Sequence, residues 1–233
     1  MLHATVTSVR RATPSTRIVR VRPEGASFAY RPGQAAEIAP EAAGGLTAYS
    51  IASAPEDTAA DGQIEFLVKV DAQGRWGDHY SALVRGHRIR LKGPVGRFVF
   101  PARPSDDRFL FIAGGTGIAP LRAMIRHGRA RARGHGPFRL LYSARTPHDF
   151  AYRHELCGMA RRGELELTLT ATRDFSDRWK GERGRITSVQ LAALLDDPAT
   201  LCFVCGPAAM VDDVPRMLRE LGVDRSRIRI EEE

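Results

Sequence analysis

Two residues that could hold a planar ligand stand side by side in the stretch LTAYSIASAP, residues 46–55. Tyr49 offers an aromatic face for stacking, and the hydroxyl of Ser50 can donate or accept a hydrogen bond. The same pair could simply end a strand, because the stretch is short, apolar and closed by small residues and a proline. Tyr49 and Ser50 are therefore candidate ligand-binding residues whose role depends on the rest of the chain.

A second candidate site is the glycine-rich stretch AGGTGIAP, residues 113–120, between an apolar run and an amphipathic pattern. Glycines let a backbone approach a pyrophosphate, and the free N–H groups at a helix start attract anions. No Gly-Lys-Ser/Thr follows, so the stretch is not a P-loop of the Walker type. The pattern predicts a nucleotide-binding turn between a strand and a helix.

Cys205 ends another apolar run, in VCGP at residues 204–207. It could be a buried filler, as most free cysteines are, or it could contact the reacting ring of a cofactor. Cys157, Cys202 and Cys205 are too few for a disulfide framework, and a four-cysteine iron–sulfur cluster cannot be built from this chain. A reducing cytoplasm is the expected location.

Bulk composition limits the possible classes. A chain of 233 residues suits two domains of roughly 100 residues each. It contains no run of about 18 apolar residues and no signal-peptide pattern, so we expect no membrane attachment. The net charge of +8 could attract an acidic protein or nucleic acid. The arginine-rich run at 126–136 lacks interleaved aromatic residues, and we expect no nucleic-acid binding.

The elements that must position these residues change type along the chain. The first hundred residues consist of short β-rich runs separated by Gly and Pro, a pattern typical of a barrel or sandwich. After the polar, proline-bearing stretch 101–107, apolar strands alternate with helical patterns, which predicts a parallel doubly wound sheet. We therefore expect two domains, residues 1–103 and 104–233. The predicted strands are 17–23, 35–40, 63–70, 87–93, 109–113, 138–144, 165–171, 201–205 and 227–230, with helices following residues 117, 187 and 207.

Five motifs in register resemble the ferredoxin–NADP reductase superfamily: YSIAS, GPVGRF, AGGTGIAPL, LLYSART and CGPAAM. The resemblance covers essentially the whole chain. It implies an N-terminal antiparallel β-barrel that binds FAD and a C-terminal Rossmann-like α/β domain that binds NAD(P)H. Hydride would pass to the flavin, and single electrons would leave to a ferredoxin, a flavodoxin or an oxygenase component. A monomer without a fused iron–sulfur domain is implied as well.

The same resemblance implies roles for individual residues. Tyr49 would pack on the isoalloxazine ring, Ser50 would hydrogen-bond near flavin N5, and Cys205 would touch the nicotinamide. Glu231 falls where the family places a carboxylate, so Ser50, Cys205 and Glu231 are the candidate catalytic residues. The other candidate cofactor-binding residues are Thr47, Ile51, Ser53, Val68, Lys69, Trp76, Gly77, Gly114, Gly115, Thr116, Gly117, Ser143, Arg145, Thr172, Arg173, Gly206 and Pro207.

Three departures from the family pattern concern the flavin. Thr47 replaces an arginine that neutralises the flavin phosphate, and Gly77 replaces a serine or threonine that meets the pyrophosphate. The chain ends in three glutamates, whereas many relatives end in an aromatic residue that covers the flavin. The first two changes would weaken FAD binding, so an alternative is a flavin-poor nucleotide-binding or electron-transfer subunit of a larger redox complex.

The expected nucleotide is NADPH, with NADH as the alternative. Thr172 and Arg173 follow the third Rossmann strand, where NADP-selective relatives place Ser-Arg to hold the 2′-phosphate. Asp174 beside them would repel that phosphate. Ser143 and Arg145 on the preceding loop could assist either nucleotide.

Overall fold

The computed structural model describes residues 1–25, 27–41, 45–73, 75–76, 83–102, 108–131, 138–174 and 176–232. The chain divides into two compact units. The first consists of Met1–Phe100 with Ala119–Arg131, and the second of Pro101–Ile118 with Ala132–Glu233. The domain boundary expected after residue 103 falls within 103–107, outside the described residues, and stays a prediction.

The first unit contains a six-stranded antiparallel sheet in the order β4-β3-β6-β1-β2-β5. A bridge between Ile51 and Phe66 joins the end of β4 to β5, so that the two edge strands meet and the sheet closes. This confirms the predicted N-terminal barrel. The strands are β1 Leu2–Thr13, β2 Thr16–Pro23, β3 Ala35–Pro40, β4 Thr47–Ser50, β5 Ile64–Lys69 and β6 Arg88–Val95.

Alternation of apolar and charged residues explains why these strands form. In β2, Val19 and Val21 are at most 1% exposed and face the barrel core, whereas Arg20 between them faces outward. Strand β1 is not among the predicted strands. Its register shifts between Val6 and Ser8, and this bulge breaks the two-residue period on which the prediction depends.

Two helices, α1 Pro55–Asp61 and α2 Ile118–Arg131, contribute to the first unit. The sequence predicts a turn where α1 begins. Pro55 nevertheless occupies the first helical turn, where it is tolerated, and the Asp57 carboxylate accepts the Ala54 N–H at 2.9 Å. The Arg126 guanidinium of α2 donates to the same carboxylate at 2.7 Å, which anchors α2 on α1.

The second unit is a six-stranded parallel sheet in the order β10-β9-β8-β7-β11-β12. The strand order reverses beside β7, which is the position where open α/β sheets bind ligands. This confirms the predicted Rossmann-like sheet. The strands are β7 Phe109–Gly114, β8 Phe138–Ala144, β9 Leu165–Ala171, β10 Glu182–Arg183, β11 Leu201–Gly206 and β12 Ile228–Glu232, and the helices are α3 Arg153–Arg161, α4 Ser188–Leu194 and α5 Ala208–Glu220.

Strands β7 and β11 are buried along their whole length, which explains their continuous apolar runs. Phe111 and Phe203 stack across this central pair with ring centres 5.4 Å apart. Helix α3 was not predicted, because it buries only Leu156 and Met159 and shows a weak apolar face. In the described ranges, no helix is long and apolar enough to cross a membrane.

Candidate functional site

Tyr49 and Ser50 form the carboxyl end of β4. Both side chains are half-buried, and their partners in β3 are the small residues Ala36 and Ala35. The Tyr49 ring centre lies 5.7 Å from that of Trp76, whose indole N–H donates a hydrogen bond to the tyrosine hydroxyl. Trp76 is 1% exposed and therefore acts as a fixed support that orients the tyrosine ring.

The segment after β4 is held from the side of the barrel core. Ile51 and Ser53 are 0% and 3% exposed. The Ile51 N–H donates to the Gln34 carbonyl at 2.9 Å. The Ser53 hydroxyl accepts the Glu65 N–H at 3.0 Å. The two side chains thus support the end of β4, and their role as cofactor contacts stays a prediction.

Tyr30 is a supporting residue that the sequence did not reveal. Its hydroxyl lies 3.0 Å from the Ser53 carbonyl, to which it donates, and 2.7 Å from the Thr58 hydroxyl. Burial raises the pKa of Tyr30 to about 12, so the phenol stays protonated at neutral pH and keeps this donor. Tyr30 therefore fixes the backbone three residues after Ser50.

Arg122 of α2 is a second supporting residue that was missed. Its guanidinium donates to the Ala52 carbonyl at 2.6 Å and to the Glu65 carboxylate at 3.0 Å. Arg122 and Glu65 are only 8% and 6% exposed. The available signal was a charged residue within each apolar pattern: Arg122 lies four residues after Ile118, and Glu65 interrupts the apolar run of β5.

Three of the remaining predicted flavin contacts lie on β4 and β5. Thr47 and Lys69 are exposed at the start of β4 and the end of β5, and Val68 is fully buried. Gly77 lies outside the described residues. The roles of all four residues in holding the flavin stay predictions.

The glycine-rich turn of the second unit packs backbone against backbone on the loop after β11. A Cβ on Gly117 would lie 2.3 Å from the Cys205 carbonyl oxygen. A Cβ on Gly206 would lie 3.0 Å from the Gly114 Cα. Only glycine fits at these contacts. The structure thus brings together the two loops that the sequence assigns to one dinucleotide site.

Tyr142 supports the same turn and was not recognised from the sequence. This fully buried residue of β8 donates its hydroxyl proton to the Gly115 carbonyl at 2.9 Å, and the hydroxyl oxygen accepts the Ala151 N–H at 3.2 Å. It holds the turn Gly115–Gly117, in which Thr116 is half-buried, directly before α2. The N–H groups of the turn and of the helix start can therefore receive an anion.

The predicted catalytic residues of this unit lie on adjacent strands. Cys205 and Glu231 are opposite partners in the parallel ladder of β11 and β12. Cys205 is 2% exposed, Glu231 is half-buried, and Pro207 after the strand is exposed. Cys202 lies deeper in β11, where burial raises the pKa of its thiol to about 12. Cys202 is thus a neutral core residue.

The ends of β8 and β9 bring two arginines together. The Arg173 N–H donates to the Arg145 carbonyl at 2.8 Å, and the Thr172 N–H donates to the Ala144 carbonyl at 2.9 Å. Arg145 and Arg173 are exposed, and Ser143 is half-buried opposite Gly114. The backbone bond places two positively charged residues on adjacent loops at the carboxyl ends of these strands.

Asp174 follows Arg173, and its side chain forms a local hydrogen bond. Its carboxylate accepts the Ser176 N–H at 2.7 Å. This bond, the Ser176 side chain and the positive charge of Arg183 hold the pKa of Asp174 below its ordinary value. The Asp174 carboxylate is therefore ionised, and hydrogen bonds within its own loop partly compensate its negative charge.

The two sets of residues suit a flavin and a dinucleotide. An oriented phenol ring next to a hydroxyl fits a planar heterocycle. Loops whose close contacts admit only glycine expose backbone N–H groups to a pyrophosphate. Among the described side chains, no cluster of three His, Cys, Asp or Glu residues could hold a metal ion.

Comparisons with known proteins agree with this assignment. Residues 3–100 match the oxidoreductase FAD-binding domain, and residues 111–216 match the oxidoreductase NAD-binding domain. Ferredoxin–NADP reductase B of Sorangium cellulosum is 35% identical over 98% of this chain and 96% of its own length. Ferredoxin–NAD(P)(+) reductase CarAd of Metapseudomonas resinovorans is 32% identical over 97% of this chain and 67% of its own length.

A solved structure supports the same conclusion. The ferredoxin reductase in carbazole 1,9a-dioxygenase superposes on 99% of this chain with a TM-score of 0.82 and 31% identity, covering 68% of that chain. Both halves of the sequence thus match one architecture of known chemistry. The chain belongs to the ferredoxin–NADP reductase superfamily and is an NAD(P)H-dependent flavin oxidoreductase that binds FAD and NAD(P).

Proposed function

We propose that this chain takes a hydride from NADPH and delivers electrons to a ferredoxin or an oxygenase component. FAD supplies the chemistry when bound, because a flavin accepts a hydride and releases electrons singly. The observation that carries the proposal is the close packing of the glycine turn on the β11 loop, where the Cβ of Gly117 would meet the Cys205 carbonyl. That packing favours a dinucleotide whose reacting end lies beside Cys205.

The side chains act by alignment and hydrogen bonding. We assign Tyr49 to packing on the flavin ring and the Ser50 hydroxyl to the hydrogen bond near the N5 position. Cys205 and Glu231 are assigned to the nicotinamide end. Holding two rings at contact distance converts an encounter into an oriented reaction, which is where the protein contributes to the rate.

The preference for NADPH rests on the exposed pair Arg145 and Arg173, which the backbone bond of 2.8 Å holds on adjacent loops. Guanidinium groups bind phosphate through parallel N–H donors. The local bond from Ser176 to Asp174 reduces the repulsion that this carboxylate would exert on a 2′-phosphate.

Replacement of Arg173 tests this preference. We expect Arg173→Ala to lower kcat/KM for NADPH about tenfold or more, because a charge-assisted bond to phosphate is lost. With NADH the value should change by less than about twofold. Ferricyanide serves as acceptor, and Arg225→Ala, an exposed arginine elsewhere in the unit, is the control. A higher kcat/KM for NADH than for NADPH in the wild type would contradict the assignment.

A small acidic iron–sulfur protein is the proposed acceptor. The names of both curated relatives specify ferredoxin, and the solved structure belongs to a dioxygenase system. The net charge of +8 favours encounter with an acidic partner. The enzyme should therefore reduce an acidic [2Fe–2S] ferredoxin rapidly with NADPH at low salt. The rate should fall steeply as the ionic strength rises. If NADPH reduces the flavin of the enzyme but the enzyme reduces none of several such ferredoxins, this class of acceptor is rejected.

We also propose that the protein is a cytoplasmic monomer without membrane attachment. All three cysteines are free, as expected in a reducing compartment. A single species near 25.7 kDa in size-exclusion chromatography with light scattering would support the monomer, and a stable dimer would contradict it.

A further inference from the structure

Two buried aromatic rings of the second unit connect the loops that follow β8 and β9. Phe150 of the first loop and Trp179 of the second stack with ring centres 5.4 Å apart and planes inclined by 14°. They are 4% and 5% exposed, so neither ring offers a surface to a ligand. The aromatic pair Phe150 and Trp179 therefore joins two loops beyond the ends of their strands.

On the β8 side, the aromatic pair is fixed to the loop that carries Arg145. The Asp149 carboxylate accepts the N–H of Thr146 at 3.0 Å and its hydroxyl proton at 2.8 Å, which closes the turn directly after Arg145. Phe150 follows this turn, and its ring packs edge-on against Tyr142 with centres 5.0 Å apart. The Phe150 ring therefore has a fixed position relative to the Arg145 loop.

On the β9 side, hydrogen bonds connect Trp179 with the residues next to Arg173. The Trp179 backbone N–H donates to the Ser176 carbonyl at 3.3 Å. The Ser176 N–H donates at 2.7 Å to the carboxylate of Asp174, which follows Arg173. The Arg183 guanidinium donates to the carbonyls of Ser176 and Trp179 at 2.7 and 3.1 Å. A displaced Trp179 should therefore release the backbone at Arg173.

The indole of Trp179 is closely surrounded. Its ring N–H donates to the Glu182 carbonyl at 2.7 Å. A Cβ on Gly181 would lie only 2.4 Å from the Trp179 Cζ2 atom. The Arg153 guanidinium lies 5.2 Å from the ring centre, within the range of a cation–π contact. These contacts hold the indole in one position on Phe150.

The loop that carries Arg173 is thus held at two points, at the Arg145 carbonyl by the 2.8 Å backbone bond and at the aromatic pair. A guanidinium binds phosphate strongly when its parallel N–H donors are oriented. We propose that Trp179, stacked on Phe150, is a positioning residue that determines the preference for NADPH over NADH by holding Arg173. The inference rests on the proposed function, because it takes Arg173 as a ligand of the 2′-phosphate.

The ratio of kcat/KM for NADPH to kcat/KM for NADH tests this role. We would measure it with ferricyanide as acceptor for the wild type, Trp179→Ala and Trp179→Phe. Trp179→Ala should lower the ratio about fivefold or more through a higher KM for NADPH, with kcat unchanged within about twofold, because hydride leaves from the other end of the nucleotide. Trp179→Phe keeps a ring that can stack on Phe150 and should retain most of the ratio.

A second variant and a matched control separate positioning from a general loss of stability. Phe150→Leu removes the stack from the other loop and should also lower the ratio, so it decides the test if Trp179→Ala does not fold. Phe109→Leu is the control, since Phe109 is 1% exposed, packs on Phe138 at 5.3 Å and begins β7 at the end away from the glycine turn. It should lower the Tm without changing the ratio.

A double variant tests whether Trp179 acts through Arg173. Adding Trp179→Ala to Arg173→Ala should change the ratio by less than about twofold, because the side chain that Trp179 positions is already absent. A further fall as large as that in the single variant would show that Trp179 acts independently of Arg173 and would overturn the proposal.

Two other results would overturn it: an unchanged ratio in the folded Trp179→Ala or Phe150→Leu variant, or an equal fall in Phe109→Leu. A wild type with a higher kcat/KM for NADH would contradict the proposed preference for NADPH. In that case a fall of the ratio in Trp179→Ala that disappears in the Arg173→Ala background would still support the positioning role. The two proposals can therefore fail separately.

Discussion

At the scale of single residues, the role proposed for Ser50 depends on where its hydroxyl is held. The end of β4 is supported from three directions: by Trp76 on the Tyr49 hydroxyl, by Arg122 on the Ala52 carbonyl, and by Tyr30 on the next carbonyl. These contacts restrict the positions that the Ser50 hydroxyl can take.

The proposed role of Ser50 predicts a specific defect. Ser50→Ala should slow reduction of the flavin by NADPH roughly tenfold or more, because a hydrogen bond near the hydride acceptor is lost. FAD affinity should change little. Stopped-flow absorbance measures the rate, and Ser50→Thr, which keeps the hydroxyl, should recover most of it. An unchanged rate in Ser50→Ala would remove Ser50 from the catalytic residues.

At the scale of elements, the proposed nucleotide site depends on the contact between the glycine turn and the β11 loop. Gly117→Ala would place a Cβ 2.3 Å from the Cys205 carbonyl oxygen, so the two loops must separate. We expect weaker NADP(H) binding and a loss of about 1–3 kcal/mol of stability. Calorimetry and urea unfolding measure the two effects.

The control for this substitution is another glycine of the same unit. Gly158 lies inside α3, and an added Cβ there meets nothing closer than the flexible Arg162 side chain at 3.4 Å. Gly158→Ala should leave nucleotide binding unchanged and raise the stability by about 0.5–1 kcal/mol. Equal behaviour of the two alanine variants would show that the close loop contact has no role in binding.

A second prediction at the scale of elements concerns the buried ion pair between Arg122 of α2 and Glu65 of β5. Arg122→Met should lower the free energy of unfolding by about 3 kcal/mol, because the buried Glu65 carboxylate loses its Arg122 partner and keeps only the longer Arg20 contact at 3.5 Å. Arg131→Met on the same helix breaks an exposed pair with Glu56 and should cost less than about 1 kcal/mol. Similar Tm values for the two variants would contradict the importance of the buried pair.

At the scale of the whole molecule, the sequence predicts those strands, helices and turns that are encoded by local apolar patterns and turn residues. The apolar runs of β7 and β11 and the glycines that follow them suffice for a parallel sheet with a nucleotide turn. The short β-rich runs of β2, β3, β5 and β6, separated by Gly and Pro, suffice to predict the barrel. Strand β1 is not predicted because its bulge interrupts the two-residue period of a strand. Helix α1 is not predicted because Pro55 is equally suited to a turn and to a helix start.

The supporting residues could not be predicted for a different reason. Arg122 and Glu65 are 57 positions apart in the chain, and Tyr30 and Ser53 are 23 apart. Such pairs are created by tertiary packing, and no local period encodes them.

The most direct test of the account is the visible spectrum of the purified protein before and after anaerobic addition of NADPH. We predict a yellow protein whose flavin absorbance in the blue is bleached on adding one equivalent of NADPH and returns on adding an oxidised ferredoxin. A protein that binds FAD but keeps its absorbance in the presence of NADPH would contradict the central claim that this chain transfers hydride from NADPH to its flavin.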